Sequence, residues 1–400
     1  MSILHNGHQK TNKDSLITIK REPRKHDLIM EKKIAILNGD GIGPEVTAQS
    51  IKVLNAIAQE YGHVFHFREA LVGADAIEKT GTALPSETID ICLDSDAVLF
   101  GAVGHPKYDN DPTAKVRPEQ GLFGIRKALG LFANIRPVIT YSGLQHLSPF
   151  KASHLEGVDL VIFRELTGGI YFGEKYTSED GNKASDECVY TRPEIERIAH
   201  LAFKLAQGRK KKVTLFDKSN VLETSRLWRK VVQEIATQYP DVTAEYMYVD
   251  NAAVQVILNP KQFDVILTEN MFGDIISDEA SVLNGSMGML PSASVGNGTA
   301  LFEPIHGTFP KAAGKDIANP IGSILSTALM LEYFGLKEEA QIIRDAIDWT
   351  LQHNFVTKDI DPMNFYFTST IGDLVSEYVA GKIPGTIKKE NIELRKSTII

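Results

Sequence analysis

In NMFGDIISDEAS (270–281), Asp274 and Asp278 stand four residues apart, so on a helix both carboxylates lie on one side. Two acids so placed can hold a hard divalent cation, and Mg2+ or Mn2+ leaves coordination positions open for substrate and water. Gly273 reads as a turn just before them, setting the pair at a helix N-terminus, where the macrodipole also favours acids on a merely solvated face. Asp250, in YVDNA at the end of the preceding strand, is a candidate third ligand. A second group is cationic. Arg126 and Arg136 lie ten residues apart in RPEQGLFGIRKALGLFANIRP, and Arg164 precedes a glycine pair and Tyr171 in FRELTGGIYFG. A guanidinium presents a rigid donor fork that matches a carboxylate, so three converging arginines would bind a di- or tricarboxylic acid. Singly, each also fits a surface ion pair, and spacing does not decide whether they converge. Lys218 and Asn220, in DKSNVLETS (217–225), follow the apolar run KVTLF; a lysine there becomes a base if burial or nearby positive charge brings its pKa toward about 7–8.

Two loops have the composition of ligand sites. GDGIGPEV (39–46) follows a strand pattern, but position 44 is Pro where a dinucleotide fingerprint needs its third glycine, so it is a tight strand-to-helix turn that could approach a ligand closely. EPIHGTFPKAAGKDIANP (303–320) is dense in Gly, Pro, Asn and Thr. Backbone approach at Gly307 and Gly314, with donors from His306 and Asn319, could cradle a nucleotide.

The elements that must hold these groups read as α/β. Short apolar runs, KKIAIL (32–37), AVLFGAV (97–103), VDLVIF (158–163), KVTLF (212–216) and FDVILT (263–268), alternate with amphipathic stretches, the pattern of helices packed on a largely parallel sheet. Ile195, Ile198, Ala199 and Ala202 follow helical spacing between Pro193 and Gly208, and Trp228, Val231, Val232 and Ile235 do so in the next stretch. No linker composition marks a domain boundary.

Taken together, LNGDGIGPEV, RPEQGLFGIRKALGLFANIRP, FRELTGGIYFG, DKSNVL, YVDNAAVQ, NMFGDIISDEASVLNGSMGMLPSAS and EPIHGTFPKAAGKDIANP make the chain, over about residues 32–385, resemble the isocitrate/isopropylmalate dehydrogenase family of β-decarboxylating dehydrogenases, and its isopropylmalate branch most closely. The resemblance implies a two-domain open mixed sheet flanked by helices, distinct from the Rossmann fold. It divides the chain into 31–131 with 285–390, on the cofactor side, and 132–284, for dimerisation, metal and substrate. It implies that Arg126, Arg136 and Arg164 hold substrate carboxylates, that Asp250, Asp274 and Asp278 bind Mg2+ or Mn2+ with Asp250 also near the substrate, and that Tyr171 and Lys218 are the catalytic pair. It implies a homodimer in which Lys218 and Asp250 reach into the partner's site.

The same resemblance places Glu119, Leu122 and Phe123 around the third carbon of the substrate, Phe123 standing where Leu is common. An apolar wall favours an alkyl group over a third carboxylate, whose unpaired burial would cost several kcal/mol. The implied reaction is oxidative decarboxylation of 3-isopropylmalate to 4-methyl-2-oxopentanoate, in leucine biosynthesis, with isocitrate, homoisocitrate or tartrate as alternative substrates. The cofactor loop implies NAD, held by His306, Gly307, Thr308, Pro310, Lys311, Ala313, Gly314 and Asn319. Lys311 departs from the acid that many NAD-dependent members carry, yet the aromatic that follows this lysine in NADP-dependent relatives is replaced by Ala312.

Composition limits the rest. Of 400 residues, 51 are acidic and 43 basic, a formal charge of −8, which argues against attraction to nucleic-acid phosphates. No apolar run approaches the roughly 18 residues of a bilayer span. Two cysteines, Cys92 and Cys188, are too few for a disulfide scaffold, and a reducing cytoplasm is expected. Residues 1–30 carry Lys10, Lys13, Lys20, Arg21, Arg24 and Lys25 against three acids without an apolar signal core, and are expected to form a flexible arm. A catalytically silent regulatory subunit is opposed by the retained Tyr171, Lys218 and aspartates. A metal-dependent phosphohydrolase lacks a nucleophile at a strand end beside them.

Overall fold

The computed structural model describes residues 29–111 and 113–382, so the expected arm, apart from its last two residues, lies outside the described residues. Ten strands form one sheet: β1 (Glu31–Gly39), β2 (Val64–Glu69), β3 (Ala97–Ala102), β4 (Leu131–Ile139), β5 (Asp159–Glu165), then β8 (Lys212–Asp217), β9 (Thr243–Tyr248), β10 (Val265–Thr268), β11 (Pro291–Gly296) and β12 (Ala300–Pro304). Two further strands, β6 (Lys175–Thr177) and β7 (Ala184–Asp186), pair separately as an antiparallel ribbon. The order is β2-β1-β3-β12-β11-β4-β5-β10-β8-β9. Both ends are parallel, whereas β12/β11, β11/β4 and β4/β5 are antiparallel. The sheet is therefore mixed, and its direction changes at the centre.

Strand periodicity builds a core on each face of each half. Ile34 and Ile36 point to one side, with Ala97, Leu99 and the apolar faces of Gly43–Tyr61 and Ile321–Tyr333, while Ala35 and Leu37 point to the other with Val98, Phe100 and Ile125. In the other half, Val161 and Phe163 meet Ile195, Ile198 and Trp228, whereas Leu160 and Ile162 meet Val256, Ile276 and Ala280. Each fully buried Ile or Leu contributes about 1.5–3 kcal/mol, so shifting a strand by one residue would exchange both faces at once.

Local signals set the helix ends. Arg192–Gln207 opens on a capping box in which the Glu194 carboxylate accepts from the Thr191 backbone N–H at 2.7 Å, and Gly43–Tyr61 stops at Gly62 in the left-handed region. Two local readings need correction. Gly273 is not a turn: it is the fourth residue of Asn270–Ala280, and a Cβ there would lie 2.7 Å from Arg164 Cγ, so glycine lets the arginine stem cross the helix. Asp250 lies in the first turn of Val249–Leu258, beyond the end of β9 rather than on it. The close approach of the 39–43 loop is likewise made to protein backbone: a Cβ on Gly41 would sit 2.1 Å from the Thr308 carbonyl oxygen, and Ile42 N–H donates to that same oxygen at 2.9 Å.

Candidate active site

A cavity of about 430 Å³ opens where the sheet changes direction, the place open α/β sheets use for ligands. The end of β3 (Phe100–Ala102), Glu303 and Pro304 of β12, Ser292 of β11, Arg136 of β4 and Arg164 of β5 line it. The helix Glu119–Ala128 adds Glu119, Leu122, Phe123 and Arg126; Tyr171, Asp274, His306 and Gly307 complete the wall. All three arginines foreseen as carboxylate ligands thus converge on one space, beside the apolar pair and the tyrosine.

Their guanidiniums are already anchored. Arg126 donates to Glu303 Oε1 at 2.9 Å, while its buried Nε has no partner. Arg136 donates to Asn134 Oδ1 (2.6 Å), Ser277 Oγ (2.5 Å) and Asp278 Oδ1 (3.4 Å). Arg164 donates to the Asn270 side chain at 2.9 Å and to Asp274. Burial lowers the pKa of Arg164 to about 10, and it remains a cation at neutral pH. Tyr171 Oη donates to Asp274 Oδ2 at 3.2 Å; burial, then the Asp274 charge, raises its pKa and keeps the phenol protonated. Burial also raises the Asp278 pKa, opposed by Arg136.

Lys218 and Asp250 stand apart from this cavity. Lys218 Nζ lies 2.6 Å from Asp250 Oδ1, and that bond holds the Asp250 carboxyl below its ordinary pKa. Neither lines the cavity wall. Among the described residues, no three His, Cys, Asp or Glu side chains come together to hold a metal. One chain therefore offers Asp274 and Asp278 as two carboxylates on one helix, which fits half of a divalent-cation site.

The cofactor loop divides. His306 and Gly307 line the cavity; burial lowers the His306 pKa, Nδ1 faces the Gly307 carbonyl at 2.9 Å, and buried Nε2 has no partner. A neutral acceptor left unpaired there fits a ligand bringing an N–H, as a dinucleotide does. Thr308 is buried under Gly41 and Gly104, Ala313 is half-buried, and Pro310 and Lys311 are exposed. Two expected contacts are engaged elsewhere. The Gly314 N–H donates to the Glu45 carboxylate, and the Asn319 amide donates to Asp359 at 3.0 Å while its oxygen accepts from Ile321 N–H. Asn319 thus closes a turn just ahead of the helix Ile321–Tyr333, whose N-cap is Pro320.

Sequence reasoning gave no role to Glu303, Asn134, Asn270 or Ser277. Glu303 and Asn270 lie inside quoted motifs, and nothing local signals that they meet arginines 177 and 106 residues away.

Residues 33–375 match the family model described as isocitrate/isopropylmalate dehydrogenase. The chain belongs to the isocitrate/isopropylmalate dehydrogenase family. It is 54% identical over 352 residues to the 3-isopropylmalate dehydrogenase of Bacteroides fragilis, covering 88% of this chain and 99% of that one. It is 52% identical over 361 residues to that of Halalkalibacterium halodurans, with the same coverage. Among solved structures, the isocitrate dehydrogenase of Methylococcus capsulatus superposes with a TM-score of 0.78 at 34% identity, over 87% of this chain and 99% of its own. A β-decarboxylating dehydrogenase of Thermococcus kodakarensis in its apo form gives 0.72 at 32%, over 92% and 99%. The mixed sheet expected of this family, without the Rossmann fingerprint, is the sheet observed. Among the described residues no helix is long and apolar enough to cross a membrane.

Proposed function

We propose that this family member oxidatively decarboxylates 3-isopropylmalate to 4-methyl-2-oxopentanoate with NAD, in leucine biosynthesis, using Mg2+ or Mn2+. The observation that carries the reading is the cavity itself: three arginines, Tyr171 and Asp274 share one wall with Leu122 and Phe123, so carboxylates and an alkyl group each find their complement. Its similarity to enzymes named 3-isopropylmalate dehydrogenase supports the same substrate.

Arg126, Arg136 and Arg164 bind and orient the two carboxylates, and Glu119, Leu122 and Phe123 surround C3. A bound dinucleotide supplies the hydride acceptor, and a bound divalent ion stabilises negative charge on the C2 oxygen. Asp274 and Asp278 would hold that ion, with Asp250 from a second copy as third ligand; their guanidinium partners would then be released toward the substrate. Lys218 of the second copy accepts the C2 hydroxyl proton as hydride leaves C2. The C3–carboxylate bond then breaks, CO2 departs, and its electron pair makes an enolate whose C3 takes a proton from Tyr171. The raised pKa of Tyr171 suits an acid that must stay protonated until that moment.

The homodimer is supported by what one chain leaves open. The helices Val249–Leu258 and Asn270–Ala280, which carry Asp250 and the other two aspartates, pack together, and Val254, Leu258, Ile275 and Val282 remain exposed on and beside them. Such an apolar face beside an incomplete site fits a second copy. NAD is favoured over NADP because Lys311 lacks a following aromatic. Two free cysteines suit the cytoplasm.

The test is NADH formation from 3-isopropylmalate with Mg2+, abolished by EDTA and restored by added metal. Faster turnover of isocitrate, homoisocitrate or tartrate would refute the substrate, and a higher kcat/KM with NADP would refute the cofactor.

A further inference from the structure

We propose that Phe172 is a specificity-determining residue: its ring braces Phe123 across the mouth of the cavity and so sets the preference for an alkyl group on C3. The inference rests on reading the cavity as a 3-alkylmalate site, and it assigns selectivity to a residue outside the cavity wall.

The two rings meet edge to face, with centroids 6.1 Å apart and planes at 80°. They come from different elements. Phe123 lies on Glu119–Ala128 and lines the cavity, whereas Phe172 follows Tyr171 in the turn after β5 and does not line it. Phe123 is 44% exposed and Phe172 47%, so neither is core, and each is the other's ring partner at the rim.

The turn that presents Phe172 is stiff. Phe172 and Gly173 N–H groups both donate to the Gly169 carbonyl at 3.2 Å. Gly169 has φ +79°, and a Cβ there would lie 2.3 Å from Tyr190 Oη; a Cβ on Gly173 would lie 1.8 Å from the Glu187 carbonyl oxygen. A turn wedged between these groups holds its aromatic in place, whereas Phe123 is half in water. Edge-to-face pairing is worth a few-fold to about tenfold in an equilibrium, enough to fix the Phe123 ring against the space beside Leu122. A substrate with an alkyl group on C3 feels that wall; malate, with hydrogen there, does not. Hydrophobic pockets discriminate by about 10–200-fold per methylene, so a loosened wall shows first as lost selectivity.

The experiment measures kcat/KM for malate, 3-methylmalate and 3-isopropylmalate in wild type, Phe172→Ala, Phe172→Tyr, Phe123→Leu and the Phe123→Leu/Phe172→Ala double variant, with melting temperatures alongside. Phe172→Ala is expected to lower kcat/KM for 3-isopropylmalate about 5–10-fold while changing that for malate less than about twofold, with an unshifted melting temperature. Phe172→Tyr keeps the ring and the wild-type ratio. In the Phe123→Leu background the alanine change adds nothing, because the ring it braced is gone. An unchanged ratio in Phe172→Ala, an equal loss on malate, or additive effects in the double variant would overturn the assignment. A wild type that reduces NAD with isopropylmalate but shows any of these defeats only the role of Phe172; one that oxidises no 3-alkylmalate defeats both readings.

Discussion

Replacing Glu269 with Gln should stabilise the protein at alkaline pH and leave it unchanged in acid. Glu269 is the cap of the helix bearing Asp274 and Asp278, is 5% exposed, and leaves Oε2 buried without a partner. Burial lifts its pKa from the ordinary 4.5 to about 7; the Phe272 N–H opposes the shift and the Glu165 charge adds to it. The folded state therefore holds a proton that the unfolded chain releases. Stability from this group is fully present below about pH 4.5 and is lost as pH rises through about 7. At 1.36 kcal/mol per pH unit the loss comes to about 3 kcal/mol. Gln keeps an acceptor for Phe272 N–H and cannot ionise. Urea unfolding of both proteins at fixed concentration, from pH 4.5 to 8.5, should show the variant more stable by about 3 kcal/mol at the alkaline end and equal at the acid end. Parallel curves across that range would show that Glu269 is already ionised, or hydrated, in the folded state.

Three further outcomes follow from the site. Tyr171→Phe should lower kcat about 10²–10⁴-fold with little change in melting temperature, since the phenol is a proton donor on a half-exposed ring; stopped-flow and steady-state NADH traces decide it. Arg126→Ala leaves the Glu303 carboxylate, itself 6% exposed, without its cation, and should cost about 3–5 kcal/mol of stability in urea titrations; a loss under about 1 kcal/mol would mean the pair is solvated. Lys218→Ala and Tyr171→Phe, each inactive alone, should recover activity when unfolded and refolded together, to about a quarter of wild type if half the dimers are mixed and one of their two sites is intact. No recovery would place Lys218 and Tyr171 in the same chain's site.

Much of the chemistry is written locally. The four-residue spacing of Asp274 and Asp278, the glycine-rich stretches and the alternation of apolar runs with helical faces depend on neighbours within about ten positions, so the sequence by itself determined an α/β sheet and offered the arginines and aspartates as candidate groups, while the role of Tyr171 came only with the family resemblance. Local reading erred where distant atoms intervene. Gly273 looked like a turn because glycine usually is one, but it is a helical residue making way for the Arg164 stem. Local reading also had no means of showing that the Asn319 amide donates to a carboxylate forty residues on. Only the tertiary structure decided that β11 and β12 insert between β3 and β4, which puts Glu303 beside Arg126 and the cavity where strand direction changes. It also decided that Lys218 and Asp250 pair with each other away from the arginines of their own chain. Such placements depend on which distant faces bury one another, and residue types along a chain carry no record of that until the faces meet.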